Sequence, residues 1–362
     1  MAGTRKGAGA NRGNQPDPKP DWMLAISATL AFNLGAALSL LAGGSTDEVV
    51  APGMTALLVA IAAHYSPRGI ALKAAVVIGV LVFLVLMLAL ATTGHVILAG
   101  VTMAVLSFIT AMGQASDRVT AGVSSVLLVG YLIPAVVGVT WDRNFETAIT
   151  LGLTGLVAGL IVAIGLILLK RKEEHQELGD VEKREKTSQL QKLLSAIRRP
   201  GPVRRYAIER ALLLGGGMAV YQATESHSVF WVLLTMFIVL QPDAASTWQK
   251  AVQRASGVIA GALAVGLLGQ VLPGEVLIGF GLVALLVGAA YMQVDYRIWS
   301  AGISFLIIAI FGTTNEYGDG LVTWVGLRIL DTMIGVTIAV VGTYLIRPRD
   351  RSKGPGPEAE AA

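Results

Sequence analysis

Long apolar runs separated by short polar stretches dominate the chain. Most of these runs approach the roughly 20 residues that a helix needs to cross the hydrocarbon core of a bilayer. They cover residues 22–42, 49–65, 70–90, 96–112, 119–140, 148–169, 206–223, 228–240, 252–271, 276–292, 298–311 and 321–346. The pattern predicts an all-α, polytopic membrane protein with about twelve transmembrane helices in two sets of six.

The polar stretches divide this pattern into five regions. These are a disordered tail (1–21), a first six-helix repeat (22–170), a linker helix (171–203), a second six-helix repeat (204–347) and a second disordered tail (348–362). The linker is charged, has apolar residues at loose helical spacing and ends at Pro200-Gly201-Pro202, through which a helix does not continue. It is either a solvated connector or a site where a regulatory partner docks.

Lysine and arginine are concentrated in alternate loops. If the N-terminus is cytoplasmic, the inner segments hold nearly all of the basic residues, whereas the outer loops hold several acidic residues and a single base, Arg143. Short loops rich in Lys and Arg stay on the cytoplasmic side of a membrane. The bias predicts that both termini are cytoplasmic.

The composition supports a membrane protein and excludes several other classes. Hydrophobic residues make up 54% of the chain and charged residues 14%, about half the share found in soluble domains, and the mean hydropathy is +0.66. Cytosolic enzymes, nucleic-acid-binding proteins and secreted disulfide scaffolds do not have this balance. There is no cysteine, and the four histidines are scattered. No metal site, cofactor or catalytic constellation is predicted, so we do not expect an enzyme.

Two short motifs recur at a constant spacing in the two sets of helices. Met112, followed by Ala121-Gly122-Val123-Ser124, matches Met292, followed by Ala301-Gly302-Ile303-Ser304. Six helices per set give both sets the same orientation. The sequence therefore predicts parallel repeats related by a pseudo-two-fold axis along the membrane normal.

The second apolar run of each set is short. Residues 49–65 contain Pro52-Gly53, and residues 228–240 stop just before Pro242. Short or interrupted segments at matching positions are typical of the substrate site of a transporter. A tilted helix or a locally thinned bilayer explains the same shortness, so both interpretations stay open.

Charged residues inside apolar runs are costly and need a reason. Arg328, Asp331 and Gly335 lie at offsets of three and seven residues, which places them on one helix face. We interpret Arg328 as part of an anion path and Asp331 as its partner or as a titrating coupling group. The alternative is a structural ion pair near the outer interface.

Arg254 has the same spacing to Gly257 and Gly261. Small residues allow close helix packing, so this face is predicted to be buried, as is the one that carries Gly335. Arg254 either presents its guanidinium to a carboxylate or extends towards the cytoplasmic surface. Gly215-Gly216-Gly217, also within an apolar run, indicates close packing or a local break in the helix.

Several of these residues form motifs that resemble a known family. The stretches are Phe230-Trp231-Val232-Leu233-Leu234-Thr235, Leu240-Gln241-Pro242, Arg254-Ala255-Ser256-Gly257 with Gly261, and Arg328-Ile329-Leu330-Asp331-Thr332-Met333-Ile334-Gly335. They are similar to the integral membrane transporter domain of the fusaric acid resistance (FUSC) family, which includes aromatic acid exporters of bacterial inner membranes. The resemblance adds Trp231 and Gln241 to the candidate substrate or coupling residues Arg254, Arg328 and Asp331.

The resemblance implies efflux of organic, often aromatic, anions across the inner (plasma) membrane, linked to the proton gradient. The expected partners are small organic anions and the lipid bilayer; a homo-oligomer stays open, and no nucleic acid is expected. Two alternatives remain: an organic-anion channel, and a non-transporting scaffold for envelope assembly.

Overall fold

The computed structural model describes residues 19–44, 49–114, 127–132, 141–169, 201–314 and 320–346, and every regular element within these ranges is helical. In chain order the helices are α1 (Trp22–Leu41), α2 (Val50–Tyr65), α3 (Arg68–Thr92), α4 (Val96–Gln114), α5 (Trp141–Leu169), α6 (Pro202–Thr224), α7 (His227–Val239), α8 (Ala244–Leu268), α9 (Gly274–Tyr291), α10 (Tyr296–Thr314) and α11 (Leu321–Ile346). Residues 127–132 form a further short helical stretch.

Among the described residues, seven helices are long and apolar enough to cross a membrane. They are α1, α3, α4, the Ile149–Leu169 part of α5, α8, α9 and α11, and the shorter helices α2, α7 and most of α10 are also apolar. The chain is a multi-pass membrane protein. The total of twelve spans stays a prediction, since most of the predicted span 119–140 lies outside the described residues.

Two helices of the second half begin at least one full turn before their apolar runs. α6 starts at Pro202 rather than residue 206, and α8 starts at Ala244 rather than residue 252. Proline is accepted at the first turn of a helix because no backbone N–H is needed there, and Asp243 caps α8 by accepting a hydrogen bond from Ser246 N at 2.8 Å. The predicted starts were late because polar first turns are helical without being hydrophobic.

The helices turn small residues towards one another and large aliphatic residues outwards. On α1, for example, Ala25, Ala28 and Ala31 are buried, whereas Ile26 and Leu30 are more than half exposed. In a bilayer the exposed side chains contact lipid, and small residues let the helix backbones approach closely. The described part of the chain therefore has the surface that a membrane protein needs.

The two halves contact each other reciprocally. The first helix of each half packs on the fourth helix of the other, as α1 does on α9 and α6 on α4. In the second contact, a Cβ added at Gly215 would lie 2.8 Å from the carbonyl oxygen of Gly100. This proximity favours close packing over a helix break for the Gly215-Gly216-Gly217 run. The reciprocal pattern is what a two-fold-related pair would make, although the repeat itself stays a prediction.

The predictions for the tails and the linker lie largely outside the described residues. The structure describes only residues 19–21 of the first tail and 201–203 of the linker, and none of 348–362. The five-region division and the linker helix therefore stay predictions.

Candidate functional site

Buried charge is concentrated in the second half. Among the described residues, the charged side chains that are at most 2% exposed are Glu209, Arg210, Arg254, Arg328 and Asp331, on α6, α8 and α11. A charge at the centre of a transmembrane helix costs roughly 2.5–3.5 kcal/mol on insertion scales. Burying these charges therefore costs free energy, which contacts within the protein or a role in its function must explain.

Arg328 packs on an aromatic face. Its Cζ atom lies 4.0 Å from the ring centroid of Trp231, and α11 and α7 bring the two together. The Nε and Nη1 atoms of Arg328 and the indole Nε1 of Trp231 are buried without a hydrogen-bond partner. A desolvated cation–π contact contributes about 2 kcal/mol, which offsets only part of the cost of burial. The pair thus presents several N–H donors that an anion could satisfy.

Aromatic rings surround the Trp231 side of this pair. The ring centroid of Trp231 lies 4.8 Å from that of Phe230 and 6.5 Å from that of Phe311, and Phe311 stacks on Trp324 at 5.7 Å with an interplanar angle of 15°. We call Phe230, Trp231, Phe311 and Trp324 the aromatic cluster. Sequence reasoning missed Phe311 and Trp324, since their spacing on α10 and α11 does not reveal that they meet.

Asp331 shares the α11 face with Arg328. It is 2% exposed, lies near Ser228 and interacts electrostatically with Arg328. The structure records no direct ion pair between these two described residues. Asp331 is instead held against the beginning of α7.

Arg254 is turned into the bundle. It is 2% exposed, its Nη1 donates a hydrogen bond to Ser300 Oγ at 3.2 Å, and it interacts electrostatically with Tyr296. The alternative that Arg254 extends to the surface is therefore wrong, because the side chain is enclosed between α8 and α10. Its partners are hydroxyl groups rather than the carboxylate considered from sequence. Arg254 is also close enough to Arg328 for the two cations to interact electrostatically.

The three packing glycines lie at helix contacts beside these charged residues. A Cβ added at Gly257 would lie 2.6 Å from the carbonyl oxygen of Arg297, and Gly261 lies directly against the backbone of Ala301. On the other side, a Cβ at Gly335 would lie 2.7 Å from that of Thr235. These close approaches bring α8 against α10 and α11 against α7, which positions Arg254 and Arg328.

Gln241 lies apart from the other candidates. Its backbone N–H donates to Thr247 Oγ1 at 3.1 Å, and its side-chain Nε2 donates to the carbonyl oxygen of Ile238 at 3.0 Å. Gln241 follows Trp231 by ten residues, the first eight of which belong to α7, and ten residues span about 15 Å along a helix axis. The structure thus places Gln241 in the turn between α7 and α8 and does not bring it to Arg328.

Lys250 and Tyr296 contact each other beside Arg254, and sequence reasoning missed both. The Nζ atom of Lys250 lies 3.8 Å from the ring centroid of Tyr296. Lys250 stands four residues before Arg254 on α8, so both occupy one helix face. That spacing was a signal for Lys250, whereas nothing near Tyr296 in the sequence pointed to α8.

The fold and the site define a class: a multi-pass, all-helical membrane protein with buried, incompletely paired cations in its second half. Among the described residues, no cluster of His, Cys, Asp and Glu could hold a metal ion.

Comparison with known proteins identifies the region that carries the site. Residues 216–342 match the family described as fusaric acid resistance protein-like, which confirms the resemblance found in the sequence. The chain is 29% identical over 145 residues to the inner membrane protein YccS of Escherichia coli (strain K12). It is 24% identical over 146 residues to the uncharacterized protein ORF2 of Neisseria gonorrhoeae.

Each alignment covers 40% of this chain, but only 20% of YccS and 34% of ORF2. The chain therefore matches between a fifth and about a third of the length of these relatives. No solved structure matches the chain significantly.

Proposed function

We propose that the chain is a secondary transporter that exports amphipathic, often aromatic, organic anions across the inner membrane. The observation that carries the proposal is Arg328, which is buried on the face of Trp231 with two guanidinium nitrogens unpaired. Donors that are desolvated and lack an acceptor bind an incoming anion more strongly than solvated donors do. The match of residues 216–342 to the fusaric acid resistance protein-like family supports the same function.

The arrangement suggests a role for each part of the site. Arg328 binds the carboxylate of the substrate, and the aromatic cluster packs against its ring or apolar body. Arg254 adds positive potential, because it acts electrostatically on the same region. Offset or edge-to-face packing of aromatic rings contributes about 0.5–1.5 kcal/mol beyond burial, which favours an aromatic substrate over an aliphatic acid of equal size.

Asp331 is the proposed coupling group. It is the buried acid on the α11 face that carries Arg328, and it lies near Ser228. Protonation of Asp331 would remove a negative charge that competes with the substrate for Arg328. Proton binding at Asp331 and anion binding at Arg328 would thereby favour each other, so the two would cross in the same direction and a pH gradient that is acidic on the loaded side would drive uphill movement.

The test is flux in proteoliposomes that contain the purified protein. The vesicles are loaded with p-hydroxybenzoate, and its movement is followed with and without an imposed pH gradient. We expect uphill movement that depends on the gradient and that Arg328→Ala abolishes. The matched control is Arg205→Ala, which removes an exposed arginine near the start of α6 and should leave flux unchanged.

Other outcomes would replace the proposal. Movement that is only downhill would favour an organic-anion channel over a coupled exporter. Flux that Arg328→Ala leaves unchanged would contradict the assigned site. No movement of any of several aromatic and aliphatic acids would favour the non-transporting scaffold.

A further inference from the structure

Lys250, Tyr296 and Arg254 form a continuous polar contact between α8 and α10. The ammonium of Lys250 lies on the Tyr296 ring, and Tyr296 interacts electrostatically with the guanidinium of Arg254. Arg254 in turn donates to Ser300. We call these four residues the entrance cluster.

The entrance cluster runs from the surface into the bundle. Lys250 and Tyr296 are half-buried, whereas Arg254 is 2% exposed and Ser300 fully buried. Lys250 lies one turn closer to the beginning of α8 than Arg254, and Arg254 interacts electrostatically with Arg328. Positive charge therefore continues from the half-buried Lys250 to the buried Arg254, which interacts with Arg328 at the proposed substrate site.

The nearby carboxylates are engaged elsewhere. Asp295 accepts a hydrogen bond from the backbone N–H of Arg297 at 2.9 Å and lies 3.8 Å from its side chain. Asp243 caps the start of α8. Among the described residues, no carboxylate contacts Lys250 or Arg254, so the positive potential along the cluster is available to a mobile anion. Like charges in a weakly polar interior repel one another, and an anion between them relieves that repulsion.

We propose that the entrance cluster is a first binding site for carboxylate anions, from which they pass to Arg328. This proposal rests on the proposed function and adds the residues that recruit the substrate. The carboxylate displaces the Lys250 ammonium from the Tyr296 ring and accepts hydrogen bonds from Lys250 and the Tyr296 hydroxyl. Arg254 and Ser300 then hold it one turn deeper.

The absence of cysteine from the chain permits a direct test. A Ser300→Cys variant places a single thiol behind Lys250 and Tyr296, where thiol reagents of similar size and opposite charge can be compared. Electrostatic focusing raises association rates by about tenfold or more, so a sulfonate-bearing methanethiosulfonate should react at least about tenfold faster than a trimethylammonium analogue. Adding Lys250→Gln should reduce this preference severalfold.

Two further variants keep the test decisive. Ser256→Cys is near the depth of Arg254 on α8 but exposed on the outside of the bundle, and its thiol should show no preference for the anionic reagent. If Ser300→Cys does not insert into the membrane, Ser304→Cys, buried one turn further along α10, replaces it. An equal rate for both reagents at the buried thiol would overturn the entrance cluster.

Transport kinetics separate this proposal from the proposed function. Lys250→Gln should raise KM for p-hydroxybenzoate severalfold with little change in kcat, and Lys250→Arg should restore KM. Flux that depends on Arg328 but not on Lys250, with no charge preference at Ser300→Cys, would overturn the entrance cluster and leave the transporter intact. A clear charge preference without flux of any acid would support the cluster and contradict transport.

Discussion

The same helix crossing occurs in both halves of the molecule, but its surroundings differ. In the first half, a Cβ added at Gly155 of α5 would lie 2.8 Å from Thr55 Cβ on α2. In the second half, a Cβ at Gly335 of α11 would lie 2.7 Å from Thr235 Cβ on α7. Gly155 and Gly335 are separated by the same number of residues as Thr55 and Thr235, as expected for two copies of one packing unit.

The residues next to these crossings do not correspond in chemistry. In the first half, the residue that corresponds to Trp231 by its position along the chain is Ala51, and the one that corresponds to Asp331 is Leu151. Both belong to an apolar cluster with Leu86 and Leu90. The first half thus closes this region with hydrocarbon, whereas the second half places an indole and a carboxylate there, next to Arg328. The two crossings thus share a contact between glycine and threonine and differ in the side chains beside it, which are apolar in the first half and partly polar in the second.

The largest expected effect comes from making the second half resemble the first. Arg328→Leu combined with Asp331→Leu should reduce p-hydroxybenzoate flux to the background of empty liposomes. Replacing buried charges by apolar residues is often neutral or stabilising by about 1–4 kcal/mol, so the thermal unfolding midpoint in detergent should stay the same or rise. Lost flux accompanied by a large fall in this midpoint would instead indicate that the two charges serve structure.

The reverse test removes bulk from the first half. Leu151 is 4% exposed, and Leu151→Ala should lower the free energy of unfolding. The loss should fall near the low end of the roughly 2–5 kcal/mol found in soluble cores, because lipid weakens the hydrophobic part of the effect. Flux per folded molecule should be unchanged, and a proportional loss of flux would show that the first half also contributes to the site.

The two crossing glycines should respond alike. Gly155→Ala and Gly335→Ala each introduce a methyl group against backbone and Cβ atoms, which typically costs about 1–3 kcal/mol. Gly326→Ala, where a Cβ would meet nothing within 4 Å, is the matched control and should not destabilise α11. If the losses of unfolding free energy caused by the two substitutions differ by more than about 1 kcal/mol, the two crossings are not equivalent.

The smallest expected effect concerns the aromatic face under Arg328. Trp231→Phe retains a ring but removes the unpaired Nε1 donor and weakens the cation–π contact, which is strongest for tryptophan. A loss of about 1 kcal/mol corresponds to a KM for p-hydroxybenzoate that is about fivefold higher. Trp248→Phe, on the exposed face of α8, is the control. An unchanged KM for Trp231→Phe would remove the indole from the substrate site.

The sequence predicted the helices best where they are most apolar. The run 22–42 corresponds to α1, and 321–346 to α11, because an unbroken hydrophobic stretch can satisfy its backbone hydrogen bonds in lipid only as a helix. The starts of α6 and α8 were missed because their first turns are polar. These turns are stabilised by Pro202 at the first position and by the Asp243 cap, neither of which contributes to hydropathy.

The candidate site was only partly predictable. Arg328 and Asp331 could be placed on one face from helical periodicity, and Trp231 entered through the family motif. Their relation to Phe311, Tyr296 and Lys250 could not be read from spacing, since these side chains meet across different helices. Gln241 shows the converse: it belongs to the same motif as Trp231, yet hydrogen bonds hold it in the turn after α7.

The sequence by itself determined that this is a helical, multi-pass membrane protein and that Arg328, Asp331 and Gly335 share a helix face. Those properties follow from hydrophobicity and from the 3.6-residue period, both of which act locally along the chain. Only the tertiary structure decided that Arg328 rests on Trp231 without an ion pair to Asp331, and that Arg254 points into the bundle towards α10. These contacts depend on how closely α7, α8, α10 and α11 approach, which is settled by small residues packing between helices that are distant in the chain.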